Sequence, residues 1–291
     1  MTTTENATIQ AVRSTVAGDP AGLEVVRIAP PVPGPDEKLV RVRAAAITRT
    51  ELTWFPDRVP SIPSFEISGV VEDTGEEVFA LLPFDRDGGA RELVATPASV
   101  LAPKPAALSD VEAAALPMPA LTAWQALFDH GRLAPGERVL ILGGAGGVGS
   151  VAVQLAKWRG AHVAATASPG NIEFVRSLGA DEVIDHTTQD FTEIEPVAVV
   201  FDTAGGENLR RAPGVLAAGG RLVSVAEDEP EGVYFIVEPD GAQLAEIGKL
   251  VEAGKVKPLV DATFPLADAR AAFERSLTGS RRGKIVIEVP G

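Results

Sequence analysis

Residues 138–168 read RVLILGGAGGVGSVAVQLAKWRGAHVAATAS, and the order of residue types in this stretch decides the fold. Val139-Leu140-Ile141-Leu142 is an apolar run too short for a helix and suited to a strand buried on both faces. Gly143-Gly144-Ala145-Gly146-Gly147-Val148-Gly149 follows it directly. Apolar residues then recur at Val148, Val151, Ala152, Leu155 and Ala156, the spacing of one helical face, and Gly160 stands where a helix C′ residue belongs. A second short apolar strand runs over 163–167. Strand, glycine turn, helix and strand make a βαβ unit, with the GxGxxG of Gly144, Gly146 and Gly149 at its first turn. Glycine there lets the chain turn sharply, lets a pyrophosphate approach the backbone, and lets helix and strand pack closely. The helix N-terminus adds free N–H groups and a partial positive charge. We therefore expect a dinucleotide site, with Gly144, Ala145, Gly146, Gly147, Val148 and Gly149 forming its phosphate cradle.

Outward from this unit the alternation continues. Ser168-Pro169 opens a helix that ends at Leu178-Gly179, and 182–184 is a strand. A strand over 197–201 closes in Asp202-Thr203-Ala204-Gly205-Gly206, and a helix through Leu216 gives way at Gly219-Gly220 to a strand over 221–225. A sixth strand falls at 233–237, followed by a helix with Leu244, Ile247 and Val251 on one face. Such repetition means a parallel sheet covered by helices. Upstream, residues 8–100 read mostly as strands: 8–12 and 23–28 are separated by a Gly18-Asp19-Pro20 turn, and Leu39-Val40-Arg41-Val42-Arg43-Ala44 alternates as a half-buried strand. Ser109-Asp110-Val111-Glu112 is a capping box that starts a helix through Ala115, with Pro117 and Pro119 breaking it. The tail, a helix near 266–277 and a strand at 285–289, fits neither pattern and is expected to return to the first domain.

Composition narrows the function. The chain has 291 residues, 45% hydrophobic and 23% charged, as in an ordinary globular protein. Its formal charge of −14 opposes nucleic-acid binding. The polar start MTTTENATIQ and the lack of a long apolar run point to a cytoplasmic protein with no membrane segment. Cysteine is absent and the histidines, His130, His162 and His186, are scattered, so no metal site is expected.

Several motifs now carry a family resemblance: Ala145-Gly146-Gly147-Val148-Gly149, Val153-Gln154-Leu155-Ala156-Lys157, Leu178-Gly179-Ala180-Asp181, Leu121-Thr122-Ala123-Trp124 and Gly283-Lys284-Ile285-Val286. The chain resembles the zinc-free medium-chain dehydrogenase/reductases, and within them the zeta-crystallin-like quinone oxidoreductases. The resemblance implies an α/β protein with a GroES-like β domain, residues 1–115 together with 259–291, and a Rossmann NADPH-binding domain over 116–258. It implies hydride transfer from NADPH to quinones or α,β-unsaturated carbonyls, a homodimer paired through the outer strand at 233–237, and cofactor contacts at Thr122, Ala204, Val225, Phe235 and Lys284.

Two regions bear on specificity. At the end of the second strand Thr166-Ala167-Ser168-Pro169 offers no carboxylate to repel a 2′-phosphate, while Ser168 and Asn171 can donate to one, and the resemblance puts His186 where related reductases often have a tyrosine beside the adenosine phosphate. The plain alternatives are a helix N-cap for Ser168, an exposed loop residue for His186 and a solvated helix charge for Arg176. In the substrate half, related reductases carry Asn-x-x-Asp/Glu where this chain has Thr48-Arg49-Thr50-Glu51, and the glycine usual before Phe65-Glu66 is Ser64. Thr48 and Glu51 are candidates for a polar catalytic edge or for a capped turn. Trp54 and Phe55 are candidates for a flat pocket wall or for packing, and Arg86 for polarising a carbonyl or for a charged turn. With 72–77 cut to a tight turn, the expectation is an open, aromatic-walled cleft for planar substrates. Rival expectations are a biosynthetic enoyl reductase or cyclase, and an NADPH-binding sensor without turnover.

Overall fold

The computed structural model describes residues 8–278 and 282–290; residues 1–7, on which the reading of the chain start rests, lie outside them. The described chain forms two compact units. One comprises the residues up to Met118 with Pro239–Glu252 and from Pro258 onward; the other comprises Pro119–Glu238 with Ala253–Lys257.

In the first unit, alternating apolar and charged side chains over 39–43 leave one face of the central strand to solvent, whereas the strands at 66–71, 77–81 and 93–97 are buried almost throughout. β1 (Ile9–Ser14) and β2 (Leu23–Ile28) pair antiparallel, and the Asp19 carboxylate between them accepts from Ala21 N at 2.8 Å, fixing the turn. β3 (Glu37–Ile47) is the long central strand. It pairs antiparallel with β4 (Glu66–Val71), whose hairpin partner is β5 (Glu77–Leu81). The turn between them closes on Gly75 at φ +73°. β6 (Leu93–Pro97) pairs with β3, and β7 (Leu101–Pro103) with β5. α1 (Asp110–Ala114) carries the capping box that its sequence spells. Pro117 does not end a helix; it begins α2 (Pro117–Trp124), because a first turn has no partner for the N–H that proline lacks. A π-type turn, Gln125–His130, follows.

The second unit is built on β8 (Arg138–Leu142), α3 (Gly147–Trp158), β9 (His162–Ala167), α4 (Ile172–Ser177), β10 (Glu182–Asp185), β11 (Val197–Asp202), α5 (Gly206–Arg211), β12 (Leu216–Ser224) and β13 (Val233–Tyr234). All pairings are parallel, in the order β10-β9-β8-β11-β12-β13. This is the doubly wound order, reversing direction at β8, the strand that leads into the glycine turn. Leu140, Leu142, Ala164, Val200, Leu209 and Leu222 fill its core. Two boundaries differ from the sequence reading. β12 starts at Leu216, not after the glycine pair, and only Val233 and Tyr234 of 233–237 pair with it.

α6 (Gly241–Glu252) clusters with the first unit, although its position after the last parallel strand assigns it by sequence to the second. Its glycines explain the change. A Cβ at Gly241 would meet the carbonyls of Ser99 and Leu101, and Gly248 faces Pro105 and Phe79. β14 (Val260–Pro265), unread in the sequence, pairs parallel with β15 (Lys284–Glu288), and β15 pairs antiparallel with β3. The tail thus completes the sheet order β14-β15-β3-β4-β5-β7, with α7 (Ala269–Leu277) between its strands. The protein is α/β, a mainly antiparallel unit of GroES type and a Rossmann unit.

Candidate functional site

In the second unit the candidate residues gather at the carboxyl ends of the parallel strands, where a doubly wound sheet opens its crevice. Gly143 leaves β8 at φ +91°, and its N–H donates to Thr166 Oγ1 at 2.9 Å, while Gly144 N donates to Thr166 O at 2.9 Å. The turn is therefore tied to β9. A Cβ at Gly149 would land on the Gly143 carbonyl, so that glycine serves close packing of α3 on β8. Gly146 is different. It is exposed, and its Cβ direction meets nothing nearer than Gly143 O at 3.4 Å. As the N-cap of α3 it supplies no side-chain hydrogen bond to the first amides of the helix. An open cradle at a bare helix N-terminus fits a phosphate anion.

The neighbouring candidates line the same edge. Ser168, half-buried, follows β9, and its Oγ accepts from Asn171 Nδ2 at 3.0 Å without capping the turn that follows. His186 N donates to Ala167 O at 3.2 Å, which brings the backbone of this exposed residue to the end of β9, at the residue before Ser168 in sequence. No carboxylate ends β9. Arg176 pairs with Glu173 on its own helix. Ala204 and Val225 flank the ends of β11 and β12, and Phe235 lies with its ring 4.4 Å from that of His130. Thr122 is buried in α2.

A residue that sequence reading passed over organises this edge. Asp202, fully buried, accepts from Ser224 Oγ at 2.9 Å and from Gly205 N and Ala204 N at 3.1 and 3.2 Å. Burial raises its pKa, against the lowering effect of those bonds. Its signal lay in the Asp-Thr-Ala-Gly-Gly sequence, where an acid precedes a tight turn.

In the first unit the site is made of side chains. Glu51 is buried in a 3-10 turn, accepting from Thr48 N at 3.0 Å and Ser64 N at 2.9 Å. Burial pushes its pKa up to about 8, although Lys284 and both amides pull the other way. Ser64 sits at φ +70°, which explains why glycine suits that position, and its buried hydroxyl has no partner among the described residues. Lys284, placed by the resemblance at the cofactor, is buried here: its ammonium is ion-paired with fully buried Glu66 and donates to Thr48 Oγ1 at 2.7 Å. Thr48 Oγ1 is 3.3 Å from Met118 Sδ, and Met118 N donates to Glu66 Oε2 at 3.0 Å. Glu66 and Met118 were not among the sequence candidates.

Trp54 stacks on buried Phe65 (6.1 Å between centroids), with Phe55 and Phe84 set edge-on around them. Phe55, Phe65, Arg58 and Glu51 line one small pocket. Arg86 does not join this group. Its guanidinium pairs with Glu37, at the opposite end of β3 from Thr48, and with Asp85. Two carboxylates thus compete with any carbonyl for this guanidinium, against the expectation that Arg86 stands ready to polarise one. Arg58 is spent on the carbonyls of Phe84 and Arg86.

Comparison with known proteins agrees with this architecture. Residues 178–287 match the family model described as zinc-binding dehydrogenase. The chain is 33% identical to a probable zinc-binding oxidoreductase, mitochondrial, of Arthroderma benhamiae, over 89% of this chain and 91% of that protein. It is 35% identical to 2-methylene-furan-3-one reductase of Solanum lycopersicum, over 87% of this chain and 71% of the relative. Among solved structures, the quinone oxidoreductase from Coxiella burnetii superposes with a TM-score of 0.89 at 29% identity, covering 98% of this chain and all (100%) of that one. Fold and sequence together define an oxidoreductase. The chain belongs to the medium-chain dehydrogenase/reductase family.

The zinc in that family description does not fit these residues. The chain has no cysteine, and among the described residues no group of three or more His, Asp or Glu gathers. Buried Glu66 already has Lys284 as its cation. No helix among the described residues is long and apolar enough to cross a membrane.

Proposed function

We propose that the protein is an NADPH-dependent reductase of quinones or α,β-unsaturated carbonyls that works without a metal. The observation that carries the reading is the open cradle at Gly146 on the uncapped N-terminus of α3, in a sheet whose next strand ends at Ser168 without an acid. Residues 144–149 would hold the pyrophosphate, and Ser168, Asn171 and His186 a 2′-phosphate. The bound nicotinamide supplies hydride to the electrophilic carbon. In the first unit, the half-buried rings of Trp54, Phe55 and Phe84 suit a planar conjugated substrate, since stacking adds about 0.5–1.5 kcal/mol beyond burial. The names of the tomato and Coxiella relatives, a furanone reductase and a quinone oxidoreductase, support this substrate class. Following NADPH oxidation against a panel of quinones and enones, with and without chelator, tests the reading. Oxidation by none of them, or activity that needs added zinc, overturns it.

The same reading includes a homodimer. Val233, Tyr234 and Ile236 on and beside the outer strand β13 are 45%, 44% and 67% exposed, an apolar edge that pairing with a second copy would protect. Light scattering at the monomer mass over a wide concentration range would refute it.

A further inference from the structure

Thr48 carries a hydroxyl whose proton is poorly used. Its Oγ1 accepts from the Lys284 ammonium at 2.7 Å, and the nearest acceptor for its own hydrogen is the Met118 thioether at 3.3 Å. Sulfur is a weak acceptor, whereas a hydroxyl that accepts from a cation is a strengthened donor. The bonds run outward from the interior: Glu66 fully buried, Lys284 at 8% exposure, Thr48 half-exposed. The backbone fixes both ends, because β15 pairs Ile285 with Ile47, which sets Thr48 and Lys284 at adjacent strand ends. Glu51 braces the other side by holding Thr48 N. No other described group at this site offers a loosely held proton backed by a positive charge.

We propose that the Thr48 hydroxyl is the donor to the substrate's carbonyl oxygen, and that Lys284, held by Glu66, is the positioning residue that polarises it and replaces its proton. This rests on the reductase reading above and names the groups that meet the oxygen. As hydride joins the conjugated carbon, the alkene electron pair shifts and leaves an enolate oxygen. The Thr48 O–H bond breaks as the enol O–H forms, Thr48 Oγ takes a proton from Lys284 Nζ, and Lys284 is left as an amine. The enol then tautomerises in water, and Lys284 regains a proton from solvent. The substrate oxygen displaces only a sulfur contact. A substrate class follows: the conjugated system must end in an oxygen, and an alkene lacking one is not reduced.

The experiment compares Thr48→Val, Thr48→Ser, Lys284→Met and the Thr48→Val/Lys284→Met pair, each checked for folding by circular dichroism. For a cyclic enone, Thr48→Val should lower kcat by about a hundredfold, the usual effect of losing one oxyanion donor, with KM changed by no more than about threefold. Thr48→Ser should recover most of the loss. NADPH affinity, read by fluorescence titration without substrate, should stay within about threefold in Thr48→Val and Lys284→Met, and the pair should be no slower than Thr48→Val alone. If Lys284→Met fails to fold, Thr48→Val against Thr48→Ser decides. Turnover by Thr48→Val equal to wild type overturns this proposal and leaves the reductase reading standing. So does a tenfold or greater loss of NADPH affinity in Lys284→Met with turnover kept, which returns the lysine to the cofactor. A wild-type protein that reduces no enone or quinone overturns both.

Discussion

In the second unit residues 145–149 form the turn into the uncapped start of α3 with hardly a side chain among them, whereas in the first unit Thr48, Glu51, Ser64, Glu66, Met118 and Lys284 offer side chains and amides from distant parts of the chain. The glycine turn is a site by subtraction: what matters at Gly146 is the atom that is missing. The polar cluster is a site by accumulation, with an ammonium, two carboxyl groups and a hydroxyl taken out of water together. At Gly146 an added group is tolerated by the fold and fills the space a phosphate would need. The polar cluster tolerates no removed charge, because the partner left behind is stranded in a low-dielectric interior.

The sharpest way to break this contrast is to remove one charge. Glu66→Gln leaves Lys284 buried without its counter-ion and should cost about 3–5 kcal/mol of unfolding free energy in urea. Glu66→Gln combined with Lys284→Met should recover much of that loss. A single variant as stable as wild type would show that the pair is not buried as described. The matching test in the second unit adds a group: Gly146→Asp puts a carboxylate where a phosphate would lie. NADPH affinity should fall by at least about a hundredfold, while the thermal midpoint barely moves, because the Cβ direction is open. Unchanged affinity in the folded variant would disprove the cradle.

Cofactor preference refines the second unit's side. With no acid beside Ser168, one or two hydrogen bonds to a 2′-phosphate should favour NADPH over NADH by about ten- to hundredfold in titrations of both. Equal affinities would mean that Ser168, Asn171 and His186 do not meet the phosphate.

How much was legible in the sequence follows from the same contrast. A strand, a GxGxxG turn and an amphipathic helix are contiguous, so local pattern alone reached residues 144–149 and the parallel sheet around them, though not the order of its strands. The cluster in the first unit depends on which strand ends meet. Lys284 reaches Thr48 only because β15 pairs with β3, a contact between residues 236 positions apart. Thr48, Glu51 and Lys284 were therefore reached only through the resemblance to related reductases, and Glu66 and Met118 were missed. β14 was missed because its VDATFP ends in proline and carries a charge, and at the sheet edge it is only partly buried. The short β13 reflects the opposite limit: past Tyr234 the apolar run keeps one backbone bond to β12, from Phe235 N to Ser224 O at 3.3 Å, and its ladder ends there.

Glu51 allows a test by pH. Its carboxyl is held up at about 8 in the folded protein by burial, against an ordinary value near 4.5. The folded state therefore holds a proton that the unfolded chain has released. The stability from this group is fully present below about pH 4.5 and is lost as pH rises through the window to about 8, with a slope of at most roughly 1.4 kcal/mol per pH unit. Glu51→Gln cannot ionise, so its unfolding free energy should vary less between pH 5 and 8 than that of wild type. Parallel curves for the two proteins would show that Glu51 titrates normally.

The smallest expected effect belongs to Arg86, the residue on which sequence and structure part most clearly. Read along the chain, Asp85-Arg86-Asp87 is a lone cation in a loop near aromatic residues, and a carbonyl could use it. In the structure its guanidinium faces Glu37 and Asp85, and Arg86 is about a third exposed (34%). Glu37 is the first residue of β3, while Thr48 follows its last. Arg86→Ala should therefore leave the turnover of an enone within about twofold, because no interaction unique to the transition state is removed. Stability should fall by no more than about 1 kcal/mol, as for a solvent-screened pair. Trp54→Ala is the companion variant, because it removes the stacked face over Phe65 and should shift preference away from a bicyclic quinone towards a small enal by a few-fold to about tenfold. The pattern that would reverse these assignments is a large loss of turnover in Arg86→Ala with the quinone-to-enal ratio untouched in Trp54→Ala. It would move the carbonyl-polarising cation from Lys284 back to the loop, and make the aromatic cluster packing alone.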